Sequence, residues 1–62
     1  MEKVTYFADV LLPLPLSTTF TYRIPVELED RVFFGIRVVV PFGRNKLLSG
    51  IVSKIHTQTP QV

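Results

Sequence analysis

The segment that most constrains the fold of this chain is residues 35–44, Gly-Ile-Arg-Val-Val-Val-Pro-Phe-Gly-Arg. Its run of β-branched residues is typical of a strand. With a period of two, the residues expected to face inward are Ile36, Val38, Val40 and Phe42. Pro41 lies near the end of the run, where the missing N–H donor weakens a strand least. The segment therefore predicts a strand that ends in a Pro-Phe-Gly turn.

A hairpin connection is expected directly after this strand. Gly43-Arg44-Asn45-Lys46 contains the two residue types that most readily adopt positive φ angles. The run from Leu47 to His56 that follows is expected to be the returning antiparallel strand. Gly50 within this run indicates a bulge or a tight bend.

Two further strands are predicted upstream. In residues 4–12 the even-numbered positions are all apolar, which is the period of a strand. Asp9 lies on the other side of this strand and is interpreted as a solvent-facing position that discourages edge pairing. In residues 19–24 the even-numbered positions are again apolar, and Pro25 ends the run.

The connections between these strands have no regular period. Pro13 and Pro15 cannot donate ladder hydrogen bonds, so residues 12–16 are expected to leave the sheet as a polyproline-like arm. Ser17-Thr18-Thr19 then supplies turn-forming side chains. The acidic segment 26–31 is assigned to a loop or a single helical turn.

Short strands separated by turns predict an all-β fold, a small antiparallel barrel or curled sheet of about four or more strands. Residues 1–56 are assigned to this module and residues 57–62 to the start of a linker. Hydrophobic residues make up 47% of the 62 residues and charged residues 19%, which is too apolar for disorder. A chain this short buries only about 60% of its unfolded surface. We therefore expect a low free energy of unfolding and self-association through strand edges.

Composition also limits the class of protein. Because no cysteine is present, neither disulfides nor thiolate metal sites can reinforce the small core. The longest apolar run is too short for a membrane-spanning helix, and no signal-peptide pattern is seen. We expect a cytoplasmic protein without membrane contact. The net charge of +2 permits an anionic partner and favours a small contact with it over a long electrostatic groove.

Catalytic and metal-binding residues are not predicted. His56 is the single histidine and is interpreted as a surface residue, because no cysteine or paired carboxylate accompanies it at a suggestive spacing. The glycines lie too far apart for a phosphate-binding loop. These observations indicate a binding module without enzymatic activity of its own.

Some residue types are suited to binding a nucleic acid. Phe20 and Tyr22 share one face of a strand, so they are either core residues or a stacking platform for bases. Arg44 and Lys46 lie in the predicted turn at 43–46. A hairpin tip of this kind is either charged for solubility or binds an anion.

In their order and spacing, these segments resemble a known family. The segments are Leu12-Pro13-x-Pro15-Leu16, Phe20-x-Tyr22, Gly35-x-Arg37-Val38-x-Val40-Pro41-Phe42-Gly43 with a basic residue after it, and Gly50-Ile51-Val52. Together they resemble the N-terminal 3′ DNA-binding domain of the replication-restart helicase PriA (primosomal protein N′). The resemblance covers residues 8–52, which is most of the chain.

The resemblance implies a pocket for a 3′-terminal nucleotide. In it, Phe20 would pack on the sugar or base, and Gly43 would let the nucleotide approach the backbone closely. The family often has an aspartate where this chain has Thr21, and a carboxylate there accepts a bond from a free 3′ hydroxyl and repels a phosphate. Thr21 keeps a hydrogen-bonding oxygen without the charge. The expected DNA-binding residues are Phe20, Thr21, Tyr22, Gly43, Arg44 and Lys46.

The resemblance also implies a biological role, the capture of the 3′-terminal nucleotide of the nascent leading strand at stalled or recombination-derived forks in replication restart. The partners would be single-stranded or forked DNA with a free 3′ end and, through the parent protein, other primosome proteins and the single-stranded-DNA-binding protein. The parent would be an ATP-dependent DNA helicase with ATP and zinc bound outside this module, which itself would hold no cofactor. The alternatives are a β-type protein-interaction module and a small RNA-binding barrel.

Overall fold

The fold is a single antiparallel sheet. The computed structural model describes residues 4–15 and 19–57. Its elements are β1 (Phe7–Leu11), β2 (Thr19–Arg23), a short 3-10 helix (Val26–Leu28), β3 (Arg37–Pro41) and β4 (Leu47–His56). The four strands pair in the order β2-β1-β4-β3 and form a curled half-barrel. The predicted all-β curled sheet is confirmed.

Alternation along the strands determines which side chains form the core. The buried hydrophobic side chains are Ala8, Val10, Leu12, Ile24, Val40 and Val52. Half-buried aromatic and aliphatic side chains pack around them, among them Phe20, Tyr22, Ile36, Val38 and Phe42. The inward positions predicted from the period of two are thereby confirmed for residues 8–12, 20–24 and 36–42. The predicted strand 4–12 is longer than β1, and Val4 and Tyr6, which precede β1, are 54% and 38% exposed.

The proline segment after β1 differs from the prediction. The chain leaves the sheet after Leu11, but Leu12 is buried and Leu14 packs against the core. The Leu14 N–H donates a 2.8 Å hydrogen bond to the Leu12 carbonyl, which bends the segment. Residues 12–15 therefore do not extend away from the sheet as an arm, because the leucines gain more by joining a small core. Residue 16 and the first two residues of the turn predicted at 17–19 lie outside the described residues, and Thr19, the third, is already the first residue of β2.

The hairpin between β3 and β4 forms as predicted. The Phe42 N–H donates a 3.0 Å hydrogen bond to the Lys46 carbonyl. Gly43 and Asn45 have φ angles of 72° and 61°, the left-handed conformation that glycine and asparagine adopt at low cost. The segment 26–31 contains one 3-10 turn, which also agrees with the prediction.

Of the two alternatives predicted at Gly50, a bulge or a tight bend, the bulge is wrong, because the bulge in β4 lies at another residue. The register of β1 and β4 pairs Asp9 with Lys54 but Val10 with Val52, which makes Ser53 the extra residue. At Gly50 the backbone of β1 passes instead so close that a Cβ atom would lie 2.8 Å from the Leu11 carbonyl oxygen. The glycine is needed for close approach and not for a bulge.

Two remaining expectations concern the termini and the membrane. Residues 1–3 and 58–62, the latter being most of the predicted linker, lie outside the described residues. Within residues 4–15 and 19–57, no helix is long and apolar enough to cross a membrane.

Candidate nucleic-acid interface

The curl of the sheet brings its two edge strands into contact. Phe20 of β2 and Phe42, directly after β3, meet edge to face with their ring centroids 5.0 Å apart. The Tyr22 hydroxyl donates a 2.9 Å hydrogen bond to the Pro41 carbonyl oxygen. An aromatic pair in this geometry contributes about 0.5–1.5 kcal/mol beyond its burial. We call these four residues the closure, because they join β2 to β3 where no ladder hydrogen bonds do.

The closure leads directly into a basic turn at residues 43–46. At Gly43 a built Cβ atom would have no neighbour within 4 Å, so the backbone there is open to a ligand. Arg44 and Lys46 are exposed, and neither forms an ion pair within the described residues. Their charges are therefore available to a phosphate.

Thr21 points away from the closure because successive side chains of a strand alternate between faces. Its Oγ1 donates a 2.7 Å hydrogen bond to Oδ1 of Asp9, the residue opposite it on β1. The same carboxylate oxygen lies 2.9 Å from Nε2 of His56 on β4. We call Asp9, Thr21 and His56 the outer cluster. It ties three strands together on the convex side of the sheet.

The bulge in β4 is what places His56 in the outer cluster. Because Ser53 is an extra residue opposite the step from Asp9 to Val10, every later side chain of β4 changes face. His56 thereby turns from the core face to the outer face. There its ring stacks on that of Phe7, with centroids 6.0 Å apart and planes at 22°.

Hydrogen bonds determine the charge of the outer cluster. The bond from Thr21 and, second, that from His56 hold the pKa of Asp9 below its ordinary value, and they outweigh partial burial, which acts in the opposite direction. The positive charge of Lys54 lowers this pKa further, to a smaller extent. Asp9 is therefore an ionised acceptor at neutral pH. In the closure, burial raises the pKa of Tyr22, so its hydroxyl remains a donor.

The arrangement of the outer cluster is suited to binding and not to nucleophilic catalysis. Asp9 lies in the middle and accepts from both neighbours, so His56 is not placed to take a proton from the Thr21 hydroxyl. Among the residues that the structure describes, no three His, Cys, Asp or Glu side chains come together in a way that could hold a metal ion.

The three predicted binding residues on β2 are divided between its two faces. Phe20 and Tyr22 reach the closure, next to the turn at 43–46, and both also pack against the core. Thr21 reaches the outer cluster instead. The structure thus brings the aromatic residues and the basic turn together, and it separates Thr21 from them by the thickness of the strand.

Asp9 and His56 are not among the predicted binding residues, and the interpretation of each is corrected. β1 lies between β2 and β4, so Asp9 does not protect a sheet edge. His56 is bonded to Asp9, and its side chain is only 17% exposed, so it is not a free surface residue. The one sequence signal was an acidic residue at an outward position of an apolar strand.

A curled antiparallel sheet with an open basic turn beside half-buried aromatic rings has the features of a small nucleic-acid-binding module. The family model described as the 3′ DNA-binding domain (3′BD) of PriA matches residues 9–62. The chain therefore belongs to the PriA 3′ DNA-binding domain family, a DNA-binding module for 3′ ends, and the predicted resemblance is confirmed. No curated protein and no solved structure gave a significant match.

Proposed function

We propose that this chain captures the 3′-terminal nucleotide of the nascent leading strand at stalled or recombination-derived forks during replication restart. Its membership of a family that binds DNA 3′ ends supports this role. The structural observation that carries the proposal is the closure, which holds the Phe20 ring against Phe42 beside the open backbone at Gly43.

Each residue near the closure has a separate task in this proposal. Phe20 offers its exposed part to the terminal sugar or base, and stacking of this kind contributes about 1–3 kcal/mol per base. Tyr22 holds β2 in place through its bond to Pro41. Gly43 admits the nucleotide to the backbone, and the cations of the turn contact one or two phosphates. Such a contact is tolerant of sequence because it does not read base edges.

The proposal extends to the protein that contains the module. On the basis of family membership, it is an ATP-dependent DNA helicase with ATP and zinc bound in other domains, and it works in the cytoplasm. Its further partners are other primosome proteins and the single-stranded-DNA-binding protein. The module contributes recognition of the strand end and no chemistry.

End capture is tested with one DNA sequence in two forms. A labelled linear single strand with a free 3′ hydroxyl and the same sequence closed into a circle are titrated with the module, and binding is followed by fluorescence anisotropy. We expect the linear strand to bind at least about tenfold more tightly, because a circle has no terminus to enter the site. Equal affinity for the two forms would exclude end capture.

The role of the basic turn is tested by its salt dependence. Because the turn contacts one or two phosphates, the logarithm of affinity is expected to fall against the logarithm of salt with a slope of magnitude about 1. Arg44→Gln is expected to reduce this magnitude by about 0.7, the value of one phosphate on a single strand. Arg31→Gln, which removes the same charge from an exposed position after the 3-10 helix, serves as the matched control. The same change in slope for both variants would contradict a specific role for the turn.

Exposed apolar side chains favour a second function, binding to a protein surface, including a second copy of the module. Phe34 is 76% exposed, Leu47 71% and Val39 65%. Val39 lies on the edge strand β3, and Leu47 begins the neighbouring strand β4. Exposed apolar groups at and beside a sheet edge promote pairing between chains. Light scattering over a range of concentrations is expected to show association. A strict monomer at high concentration would rule out self-association.

A further inference from the structure

We propose, as an extension of the end capture proposed above and resting on it, that the Asp9 carboxylate is the group that recognises the terminal 3′ hydroxyl. The ligand is the hydroxyl of a free DNA 3′ end. The discrimination is against ends that carry a phosphate or lack the hydroxyl. Thr21 and His56 are positioning residues that hold this carboxylate in place.

Asp9 has acceptor capacity left for a ligand. Its Oδ1 receives the bond from Thr21 and lies 2.9 Å from His56 Nε2, whereas no hydrogen bond to its Oδ2 is found within residues 4–15 and 19–57. An ionised carboxylate has about four acceptor positions, so two remain at Oδ2. The side chain is 21% exposed, which makes it accessible while partners on two strands fix its orientation.

The chemistry of the carboxylate matches the required selection. The ionised carboxylate has no proton to donate to a phosphate, and its negative charge repels a phosphate. A hydroxyl, in contrast, donates a charge-assisted hydrogen bond to it, which is about twice as strong as a neutral one. Lys54, the register partner of Asp9 on β4, carries a cation on the same face. It is suited to the phosphate that precedes the terminal nucleotide.

The path of β2 places this acceptor within reach of the aromatic surface. Phe20 and Thr21 are consecutive, so their Cα atoms are about 3.8 Å apart, although their side chains lie on opposite faces. Within the described part of the chain, β2 forms ladder hydrogen bonds only with β1 and is an edge strand of the sheet. A nucleotide bound over this edge, beside the closure, contacts Phe20 on one face of β2 and the acceptor that Thr21 holds on the other.

Three DNA ends test the role of Asp9. Otherwise identical oligonucleotides ending in a 3′ hydroxyl, in a 2′,3′-dideoxy sugar or in a 3′ phosphate are titrated with the wild-type module. The hydroxyl end is expected to bind about tenfold more tightly than the dideoxy end, which lacks the donor. The phosphate end is expected to be the weakest, because it adds repulsion.

The isosteric variant Asp9→Asn removes the charge and is expected to bring all three ends within about threefold of one another. Thr21→Val leaves the charge but removes one positioning bond. It is therefore expected to reduce the preference for the hydroxyl over the dideoxy end while keeping the discrimination against phosphate. Glu27→Gln, at an exposed acid in the 3-10 helix, is the matched control and is expected to keep the wild-type order. A purely structural role for Asp9 would change affinity for the three ends by the same factor.

The outcomes separate this inference from the function on which it rests. If the wild type prefers a linear strand over a circle but Asp9→Asn keeps the wild-type order of ends, the assignment of Asp9 is overturned and end capture stands. If the wild type binds circles and all ends equally, both are overturned. Should Asp9→Asn fail to fold, the carboxyl carbon resonance of Asp9 in the wild type provides the test. It is expected to shift with a hydroxyl-ended dinucleotide and not with a dideoxy one, and the absence of this difference overturns the assignment.

Discussion

Gly50→Ala is expected to destabilise the module because atoms of β1 and of the residue after it lie directly against this position. Gly50 is buried on the inward face of β4. A Cβ atom there would lie 2.6 Å from Val10 Cγ1 and 2.8 Å from both the Leu11 carbonyl oxygen and Leu12 Cδ2. The end of Leu12 is flexible and can turn aside. Val10 is only 1% exposed and the Leu11 oxygen belongs to the backbone, so relieving those two contacts requires a shift of the sheet.

The size of the effect follows from these contacts. Overpacking of a well-packed core costs about 1–3 kcal/mol, and replacing glycine by alanine returns about 0.4–1 kcal/mol by restricting the unfolded chain. The expected net loss is about 1–2 kcal/mol. A domain of this size has a total stability of roughly 3–9 kcal/mol, so this loss is a large share of it. The melting temperature should fall by roughly 4–8 °C for each kcal/mol.

Urea unfolding followed by circular dichroism measures this loss. Val10→Ala removes the shortest contact, so it is expected to be less destabilising in the Gly50→Ala background than in the wild type. Gly43→Ala is the control, because position 43 has open space but a φ of +72° and so isolates the backbone effect. A Gly50→Ala protein as stable as the wild type, or a strictly additive cycle with Val10→Ala, would refute the steric argument.

Three further predictions concern the closure, the outer cluster and the turn. Tyr22→Phe removes the hydrogen bond to Pro41, which lies at an exposed position where water can replace it. This change should lower the free energy of unfolding by about 0.5–1.5 kcal/mol. An unchanged thermal melt would contradict this prediction. The pKa of Asp9 is lowered in the folded state. The stability that the ionised carboxylate contributes is therefore fully present above the pKa of about 3.9 in the unfolded chain, and it is lost as the pH falls through the lower pKa of the folded state. In urea titrations the gap between wild type and Asp9→Asn should therefore shrink from about pH 6 to about pH 2, and a constant gap would show that the charge is not involved. The Gly43→Val protein should melt at a lower temperature than the Gly43→Asn protein. A left-handed φ costs a β-branched residue about 1–2 kcal/mol or more, and it costs asparagine less. Equal melting temperatures would argue against backbone strain at this position.

The strands and the hairpin were predictable because they depend on neighbours in the sequence. Alternating apolar residues identify the inward face of β1, β2 and β3, and the glycine and asparagine of the turn supply the positive φ angles that the hairpin needs. The burial of Leu14 was not predictable in this way. It depends on the core having room for one more leucine, which a local rule about proline does not reveal.

The outer cluster was not predictable because one bulge reverses the alternation of β4. Counted by twos from the buried Val52, His56 falls on the core face. The extra residue Ser53 moves it to the outer face beside Asp9. Nothing in the composition of residues 47–56 marks Ser53 as the bulged position, and Gly50 is the residue that sequence rules favour. The closure was also not predictable, because contact between β2 and β3 depends on the curl of the whole sheet.

β2 connects the two parts of the candidate site and suggests how an end differs from an internal nucleotide. Its even-numbered side chains reach the closure and Thr21 reaches the outer cluster. In the proposed function, affinity and end preference therefore depend on different faces of one edge strand. A DNA strand that ends in the site extends from this edge in one direction only. At an internal nucleotide the DNA continues past the Asp9 carboxylate, whose negative charge repels the next phosphate. Variants of Phe20 should therefore weaken binding to every end alike, and variants of Asp9 should change the order of the ends. A Phe20→Leu protein with an altered order and unaltered affinity would show that the two faces are not separate in function.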